Sequence, residues 1–273
     1  MGKKPLHENL YIANHDGNWE KTIFRLLDSV GLELPNKKIL LKPNLVEALA
    51  PPITTPVALI EAVLDWIREN YKNAEVVIGD GTGSDDYESD FVFDKLGYAE
   101  LSERKNVELV DLNHADLVEL KNPKLLDWPT MHLPRIVMDS FLISVPVLKA
   151  HSLAGVTLTI KNMMGALPPS HYQGGGHWKK SIFHEKMQEN LLSLAHYRVP
   201  DFTILDATVG MSEAHLWGAH CDPPPRVVAS SLDPVAIDAY GCKLLKRRWQ
   251  EIGHIKGADG KVGYGEPKAV IEI

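Results

Sequence analysis

Three lysines stand beside apolar segments of the sequence, where a lysine side chain has little structural use. Lys42 follows a short apolar strand, Lys149 follows the most apolar strand of the chain, and Lys161 lies within an otherwise apolar helix. Lysine does not cap a helix N-terminus, and its ammonium group is costly to bury. We therefore predict that these lysines hold an anionic ligand, a phosphate or a carboxylate. The alternative is that each lysine extends its ammonium group to solvent.

Polar residues and glycines directly follow almost every predicted strand. Ligands of open parallel sheets bind outside the carboxyl ends of the strands, so these residues are expected to meet at one edge. The residues predicted on this basis to bind the ligand are Lys42, Asn44, Gly79, Asp80, Gly81, Thr157 and Ser230. The alternative is that loops after strands are commonly polar and that aspartate, serine and threonine there cap helices. We favour that alternative for Thr55 and Asp233.

Two local patterns suggest how an anion would be held. Thr157 and Lys161 are four residues apart, on one stripe of a helix predicted over about 154–164. An acid group near the N-terminus of that helix would meet free backbone N–H groups. Residues 79–83 are Gly-Asp-Gly-Thr-Gly, which matches neither the dinucleotide-binding nor the P-loop pattern. Such a turn can still form an anion-binding nest, and a plain structural turn is the alternative.

Titratable residues at the same strand ends are candidates for catalysis and for metal binding. His151 is predicted to act as a general acid and base. Burial beside other lysines can lower the pKa of Lys149 or Lys161 enough for nucleophilic or base chemistry. The carboxylates predicted to hold a divalent metal, or to orient the lysines, are those of Asp80, Asp206 and Asp233.

Two loops contain histidines. Residues 168–180 include three consecutive glycines and are predicted to form a mobile lid; the alternative is a solvent-exposed loop with incidental histidines. The histidines assigned to the lid, which titrate near neutrality, are His171, His177 and His184. In the second loop, at 215–221, His215 and Cys221 offer metal ligands, or else the loop is organised by packing of Trp217.

Strands and helices alternate along the chain, which favours an α/β fold. We predict a three-layer sandwich with a mostly parallel or mixed central sheet and helices on both faces, forming one domain over residues 1–273. The predicted strands lie at 10–13, 38–41, 75–78, 107–112, 141–148, 202–205 and 226–229, with an edge strand at 268–273 and a hairpin between 113 and 137. Asp233 and Pro234 are predicted to begin the last helix.

The composition argues against several classes of protein. The chain has 273 residues with 29 basic and 36 acidic side chains, and its net charge of −7 argues against a general nucleic-acid-binding protein. Cys221 and Cys242 cannot hold an iron–sulfur cluster within one chain. The sequence contains no apolar signal segment and no membrane span, so we expect a cytoplasmic protein without a membrane partner. The expected partner is a small anionic molecule, and the sequence allows a homo-oligomer.

The residues singled out above resemble the pattern of the DUF362 family. The segments that carry the resemblance are 42–45, 79–81, 143–151, 157–165, 204–206 and 229–239. The resemblance spans about 38–246 and adds Asn162 and Gly165 to the predicted ligand-binding residues. Many relatives carry a ferredoxin-like cysteine cluster, which two cysteines cannot supply. Relatives also tend to have a Gly-Pro loop after the strand of Asp206, where this chain has 211–215, Met-Ser-Glu-Ala-His.

The sequence therefore predicts an enzyme that acts on a small anionic metabolite or cofactor at the carboxyl ends of the strands. Lys42, Lys149 and Lys161 would hold the acid group, and Asn44 and Thr157 would add hydrogen bonds. The cofactor is unknown, and a divalent metal is the one candidate. The alternative function is a non-catalytic carrier of a cofactor or metal, or a redox-partner module.

Overall fold

The computed structural model describes residues 5–273, which contain twelve strands and ten α-helices. The strands are β1 (Leu10–Asn14), β2 (Ile39–Pro43), β3 (Val76–Asp80), β4 (Glu108–Asp111), β5 (Leu117–Lys121), β6 (Thr130–Pro134), β7 (Phe141–Val145), β8 (Val147–His151), β9 (Gly155–Thr157), β10 (Phe202–Met211), β11 (Val227–Ser231) and β12 (Val270–Glu272). The α-helices are α1 (Trp19–Val30), α2 (Val57–Asn70), α3 (Ser89–Lys95), α4 (Tyr98–Lys105), α5 (Arg135–Asp139), α6 (Thr159–Asn162), α7 (Pro169–Tyr172), α8 (Met187–Tyr197), α9 (Pro234–Leu244) and α10 (Gly253–Ala258).

Ten strands form one mixed sheet, as predicted. Its main order is β12-β1-β11-β10-β7-β2-β3-β4, and β8 and β9 join it beside the second half of β10. Neighbours from β10 through β7, β2 and β3 to β4 are parallel, whereas β11 is antiparallel to both β1 and β10. Strands β5 and β6 form a separate antiparallel hairpin, in the region where the sequence predicts one.

Helices cover both faces of the sheet, which confirms the predicted three-layer α/β sandwich. One hydrophobic core contains buried side chains of α1 to α4, and the other contains those of α6, α8, α9 and α10. Strand β2 contributes to both cores, because Ile39 and Leu41 face the first and Leu40 faces the second. The extent of the domain over 1–273 stays a prediction. None of the described helices is both long and apolar enough to cross a bilayer.

The strand predicted over 141–148 is interrupted at Pro146. Proline has no N–H group to donate to a neighbouring strand, and the segment divides there into β7 and β8. The carbonyl of Pro146 still accepts a hydrogen bond from the backbone N–H of Asp206, at 3.0 Å. Strand β7 pairs with the beginning of β10, and β8 pairs with its continuation. The interruption lets β8 carry Lys149 and His151 beyond the main sheet edge.

The helix predicted over about 154–164 is wrong in its first half. Residues Gly155–Thr157 form β9, which pairs antiparallel with β8, and only Thr159–Asn162 are α-helical. The reversal uses a left-handed backbone at Gly155, whose φ is +80°. His151 stabilises the same turn, because its Nδ1 accepts hydrogen bonds from the backbone N–H groups of Leu153 and Ala154.

Thr55 does not cap α2, contrary to the prediction. The helix begins after Pro56, and the Thr55 hydroxyl instead donates to the carbonyl of Val145 at 2.7 Å. It also accepts a hydrogen bond from the backbone N–H of Asn44 at 2.8 Å. Thr55 therefore joins the carboxyl ends of β2 and β7. The Asp233 cap is confirmed, since its carboxylate accepts hydrogen bonds from the N–H groups of Val235 and Ala236.

Candidate functional site

A cleft lies at the carboxyl ends of β2, β3 and β8. Its empty volume, counted with its open mouth, is about 610 Å³. The residues that line it are Asn44, Val46, Asp80, Gly81, Gly83, Lys149, His151, Thr157, Lys161, Asn162, Met164, Gly165, Trp178, Lys180, His184 and His215. Nine of the residues predicted from the strand ends or the family resemblance to bind ligand or catalyse are thus brought together, and their action on a ligand stays a prediction.

Lys42 lies beneath this cleft and is already neutralised. Its Nζ is 2.7 Å from Oδ1 of Asp80, and both side chains are buried. The other carboxylate oxygen of Asp80 accepts the backbone N–H of Leu45 at 2.6 Å. Gly165 covers the pair so closely that a Cβ at this position would overlap the Asp80 carboxylate. Lys42 is therefore a structural cation in this arrangement, which corrects its predicted role in holding the ligand.

Lys149 is held by a buried amide network. Its Nζ donates to Oδ1 of Asn44 at 2.8 Å and to the carbonyl of Ile53 at 2.6 Å. Nδ2 of Asn44 donates to Oδ1 of Asn162 at 3.0 Å, across 118 residues of sequence. Burial and then the nearby charge of Lys161 hold the pKa of Lys149 well below its usual value. The network fixes the position of Lys149. It occupies Nζ of Lys149 and Nδ2 of Asn44, two donors that were predicted from the sequence to bind the ligand.

Lys161 and Thr157 have polar groups without hydrogen-bond partners in the described structure. Lys161 is only 8% exposed, and within residues 5–273 its Nζ has no hydrogen-bond acceptor and no carboxylate partner. Burial lowers the pKa of Lys161 to about 8. The buried hydroxyl of Thr157 also lacks a partner in the described structure. The Thr157 hydroxyl carries the cost of an unpaired buried group, and Nζ of Lys161 lines the cleft without an acceptor, so both are available to a ligand.

His151 is held in one protonation state by its surroundings. Two backbone N–H groups donate to its Nδ1, each at 3.1 Å, so that nitrogen carries no proton and the neutral ring has its proton on Nε2. Burial and then the charge of Lys161 hold the pKa of His151 far below its usual value. Its predicted role as a general acid and base stays a prediction; in this geometry the neutral ring offers the cleft a hydrogen-bond donor.

Two further imidazoles face the cleft. His215 stacks on His151 with ring centroids 4.0 Å apart, and burial lowers the pKa of His215 to about 3. Nδ1 of His184 is 3.0 Å from the carbonyl of Lys180, so this nitrogen donates and Nε2 keeps its lone pair. Burial also lowers the pKa of His184. Nε2 of the neutral His184 ring can therefore accept a proton, although burial makes it a weaker base than a free imidazole.

The segment 173–184 closes one side of the cleft and is held by two lysines. Nζ of Lys180 donates to the carbonyls of Gly81 and Thr82 and to Oδ1 of Asn113, at 2.9, 2.5 and 2.6 Å. Nζ of Lys179 is 2.8 Å from Oε2 of Glu88. The two consecutive lysines of the sequence were the signal for this contact. Sequence reasoning missed it because nothing local indicates which carbonyls they reach.

Of the three histidines assigned to the lid, only His184 lines the cleft. His171 lies elsewhere and stacks on His132, with ring centroids 3.9 Å apart. His177 is exposed. Trp178, which was not among the predicted site residues, forms part of the cleft wall and pairs with Ser84 through a backbone bridge.

Replacement of Lys180 by methionine should release this segment. The substitution removes three hydrogen bonds from a buried ammonium group and leaves the carbonyl of Gly81 and Oδ1 of Asn113 without a donor. We expect hydrogen exchange of the backbone amides in 174–184 to become at least about tenfold faster, equivalent to about 1.4 kcal/mol of lost protection. Mass-spectrometric exchange measures this. Lys186→Met, at an exposed position nearby, is the control, and equal exchange in the two variants would contradict the role of Lys180.

Several predicted site residues lie away from the cleft. The carboxylate of Asp206 accepts the N–H and hydroxyl of Thr208, and Asp233 caps α9. Ser230 is buried in β11, and Gly79 lies within β3. The three carboxylates predicted to share a metal therefore do not form one site. The N-terminus of α6, predicted to meet the anion, is occupied by Asp238, which accepts the N–H groups of Thr159 and Ile160 at 2.7 and 3.0 Å.

A different set of side chains could hold a metal. Ligand atoms of Glu88, Asp111 and His114 lie within 4.8 Å of one another, the one such group in the described residues. It lies outside the cleft lining and includes none of the predicted metal ligands. Oε2 of Glu88 is already 2.8 Å from Lys179 and 3.1 Å from Nε2 of His114. These contacts satisfy Glu88 without an ion.

Comparison with known proteins identifies a family and a fold. The model of a family described as "Domain of unknown function (DUF362)" matches residues 39–243. A thylakoid-associated protein of Synechocystis sp. is 25% identical over 211 residues, which are 75% of this chain and 61% of that protein. This chain thus spans less than two thirds of that relative, and the cytoplasmic location predicted here stays a prediction.

A solved structure shares the architecture. The lactate racemase apoprotein from Thermoanaerobacterium thermosaccharolyticum superposes with a TM-score of 0.52 at 13% identity, covering 89% of this chain and 57% of that one. At this level of identity the likeness shows the α/β fold alone.

Proposed function

The chain belongs to the DUF362 family, and from that premise we propose that its cleft binds a small molecule bearing a carboxylate or a phosphate group. The observation that carries this proposal is the unpaired Nζ of Lys161, which lines the cleft together with the unpaired hydroxyl of Thr157. A bound acid group would accept hydrogen bonds from both and would remove the cost of leaving them unsatisfied.

The charges around the cleft support the same proposal. Lys149, Lys161 and Lys180 line it, whereas Asp80 is the one carboxylate among the described lining residues and is paired with Lys42. An acid group bound beside these lysines would stabilise their protonated forms, although the whole chain carries −7. Val46, Met164 and Trp178 add apolar surface for the rest of the ligand.

An enzymatic role is favoured over a carrier role by the neutral imidazoles. His151 presents an N–H donor that can polarise a carbonyl oxygen, and His184 presents an unprotonated nitrogen that can accept a proton, to the same cleft. The structural neighbour named as a lactate racemase apoprotein suggests that a small hydroxy acid is a suitable first probe. A coloured cofactor or stoichiometric metal that stayed with the purified protein would favour the carrier alternative.

Replacement of Lys161 by methionine tests the binding proposal. We expect the affinity for L-lactate or inorganic phosphate to fall between about tenfold and a hundredfold, since a hydrogen bond to a charged group contributes about 1.5–3 kcal/mol. Isothermal titration calorimetry of the native protein and of Lys161→Met measures the change. Lys256→Met, at an exposed position, is the matched control. Native protein that binds neither probe, or equal binding by native protein and Lys161→Met, would contradict the proposal.

A further inference from the structure

We propose that Nζ of Lys161 forms an imine with ligands that carry an aldehyde or keto group beside their acid group. This inference rests on the proposed function, because the acid group brings such a ligand into the cleft. It goes further by assigning Lys161 a covalent role, with 2-oxo acids as the chemical class of ligand.

The choice of Lys161 follows from what the other lysines do. A nucleophilic amine must be free to direct its lone pair at the ligand, and an Nζ that already donates hydrogen bonds to several acceptors is held in place by them. Lys42 is paired with Asp80, Lys149 donates to two oxygens, and Lys180 donates to three. In the part of the chain that the structure describes, Lys161 is the one lysine of this cluster whose Nζ has no acceptor.

The surroundings of Lys161 favour its neutral form. The nearest cleft carboxylate, that of Asp80, uses its two oxygens on Lys42 and on the backbone N–H of Leu45. The side chain is almost completely buried, and the burial lowers its pKa to about 8, so roughly a tenth of the amine is unprotonated at pH 7. Desolvation is a known way to activate a lysine amine as a nucleophile.

The step balances without any further reagent. The Nζ lone pair forms a bond to the carbonyl carbon, the carbonyl π pair moves to oxygen, and one proton passes from nitrogen to that oxygen. The resulting carbinolamine then forms a carbon–nitrogen double bond and releases its hydroxyl group with the second proton as water. Thr157 and Nε2–H of His151 are donors facing the cleft that can hydrogen-bond the carbonyl oxygen, and His184 can accept a proton.

Reductive trapping tests this inference. Native protein is incubated with pyruvate and sodium cyanoborohydride, which reduces an imine to a stable secondary amine, and is then analysed by intact mass and peptide mapping. We expect one adduct per chain, at Lys161, and at least about tenfold less adduct in Lys161→Arg, which keeps the charge but lacks the nucleophile. Lys256→Arg should be labelled like the native protein. Excess L-lactate should protect Lys161, because it has an acid group but no aldehyde or keto carbon for the amine to attack.

The outcomes separate this inference from the binding proposal. If L-lactate binds to native protein but pyruvate leaves no adduct at Lys161, the imine is excluded and the binding proposal stands. If neither molecule interacts with the protein, both proposals fail. Labelling spread over exposed lysines, unchanged by Lys161→Arg or by L-lactate, would also overturn the imine. Protection by L-lactate is measured on native protein, so this result does not depend on how well the variant folds.

Discussion

Replacing Asp80 with asparagine should lower the free energy of unfolding by about 3–5 kcal/mol. The substitution keeps the shape of the side chain but removes the charge that pairs with Lys42, at 2.7 Å in a site without solvent. An ammonium group left unpaired at such a site has no water to replace the carboxylate. Burial already lowers the pKa of Lys42, and Asp80 is the group that opposes this effect. Urea denaturation of the native protein and the variant measures the loss.

The double variant Lys42→Met, Asp80→Asn separates the ion pair from other effects of the substitution. Because a buried pair replaced on both sides costs less than a pair broken on one side, it should recover part of the stability lost in Asp80→Asn. Asp16→Asn, which breaks the exposed pair between Asp16 and Lys21, should leave the unfolding transition unchanged. Asp80→Asn as stable as the native protein would show that Lys42 has another partner.

Replacing Asp238 with asparagine should flatten the pH dependence of stability between pH 4 and pH 7. Burial raises the pKa of Asp238 from 3.8 to about 7, although the N–H groups of Thr159 and Ile160 oppose this shift. Across this range the unfolded chain loses the proton and the folded chain keeps it. The group therefore contributes stability that is fully present below pH 3.8 and is lost as pH rises towards about 7.

The size of the effect follows from the same linkage. The contribution of Asp238 to the free energy of unfolding should fall by roughly 1 kcal/mol per pH unit over that interval, and asparagine should remove the slope. Burial also raises the pKa of Asp233, to about 6, which adds a slope of the same sign in both proteins. The difference between the two urea-denaturation profiles therefore isolates Asp238, and parallel profiles would contradict the assignment.

Much of the fold could be predicted because its signals are local. The alternation of apolar segments with glycine-bounded polar turns predicted the positions of β1, β2, β3 and β11. The Asp-Pro pair predicted where α9 begins. The prediction failed at 154–164, where the apolar spacing fits a helix. There the imidazole of His151 and a left-handed glycine reverse the chain into β9. A contact from a neighbouring strand thus overrode the local periodicity.

The candidate site could also be predicted only in part from the sequence. The sequence by itself determined which residues lie at the carboxyl ends of the strands, because strand ends follow from local pattern and parallel strands place them at one edge. Only the tertiary structure decided their roles. Asp80 neutralises Lys42, Asn44 holds Lys149, and Lys180 joins from a distant segment. Hydrogen-bond partners depend on which distant atoms come within about 3 Å, and no local pattern specifies that. Among the described residues that line the cleft, the amine of Lys161 and the hydroxyl of Thr157 are left without a partner.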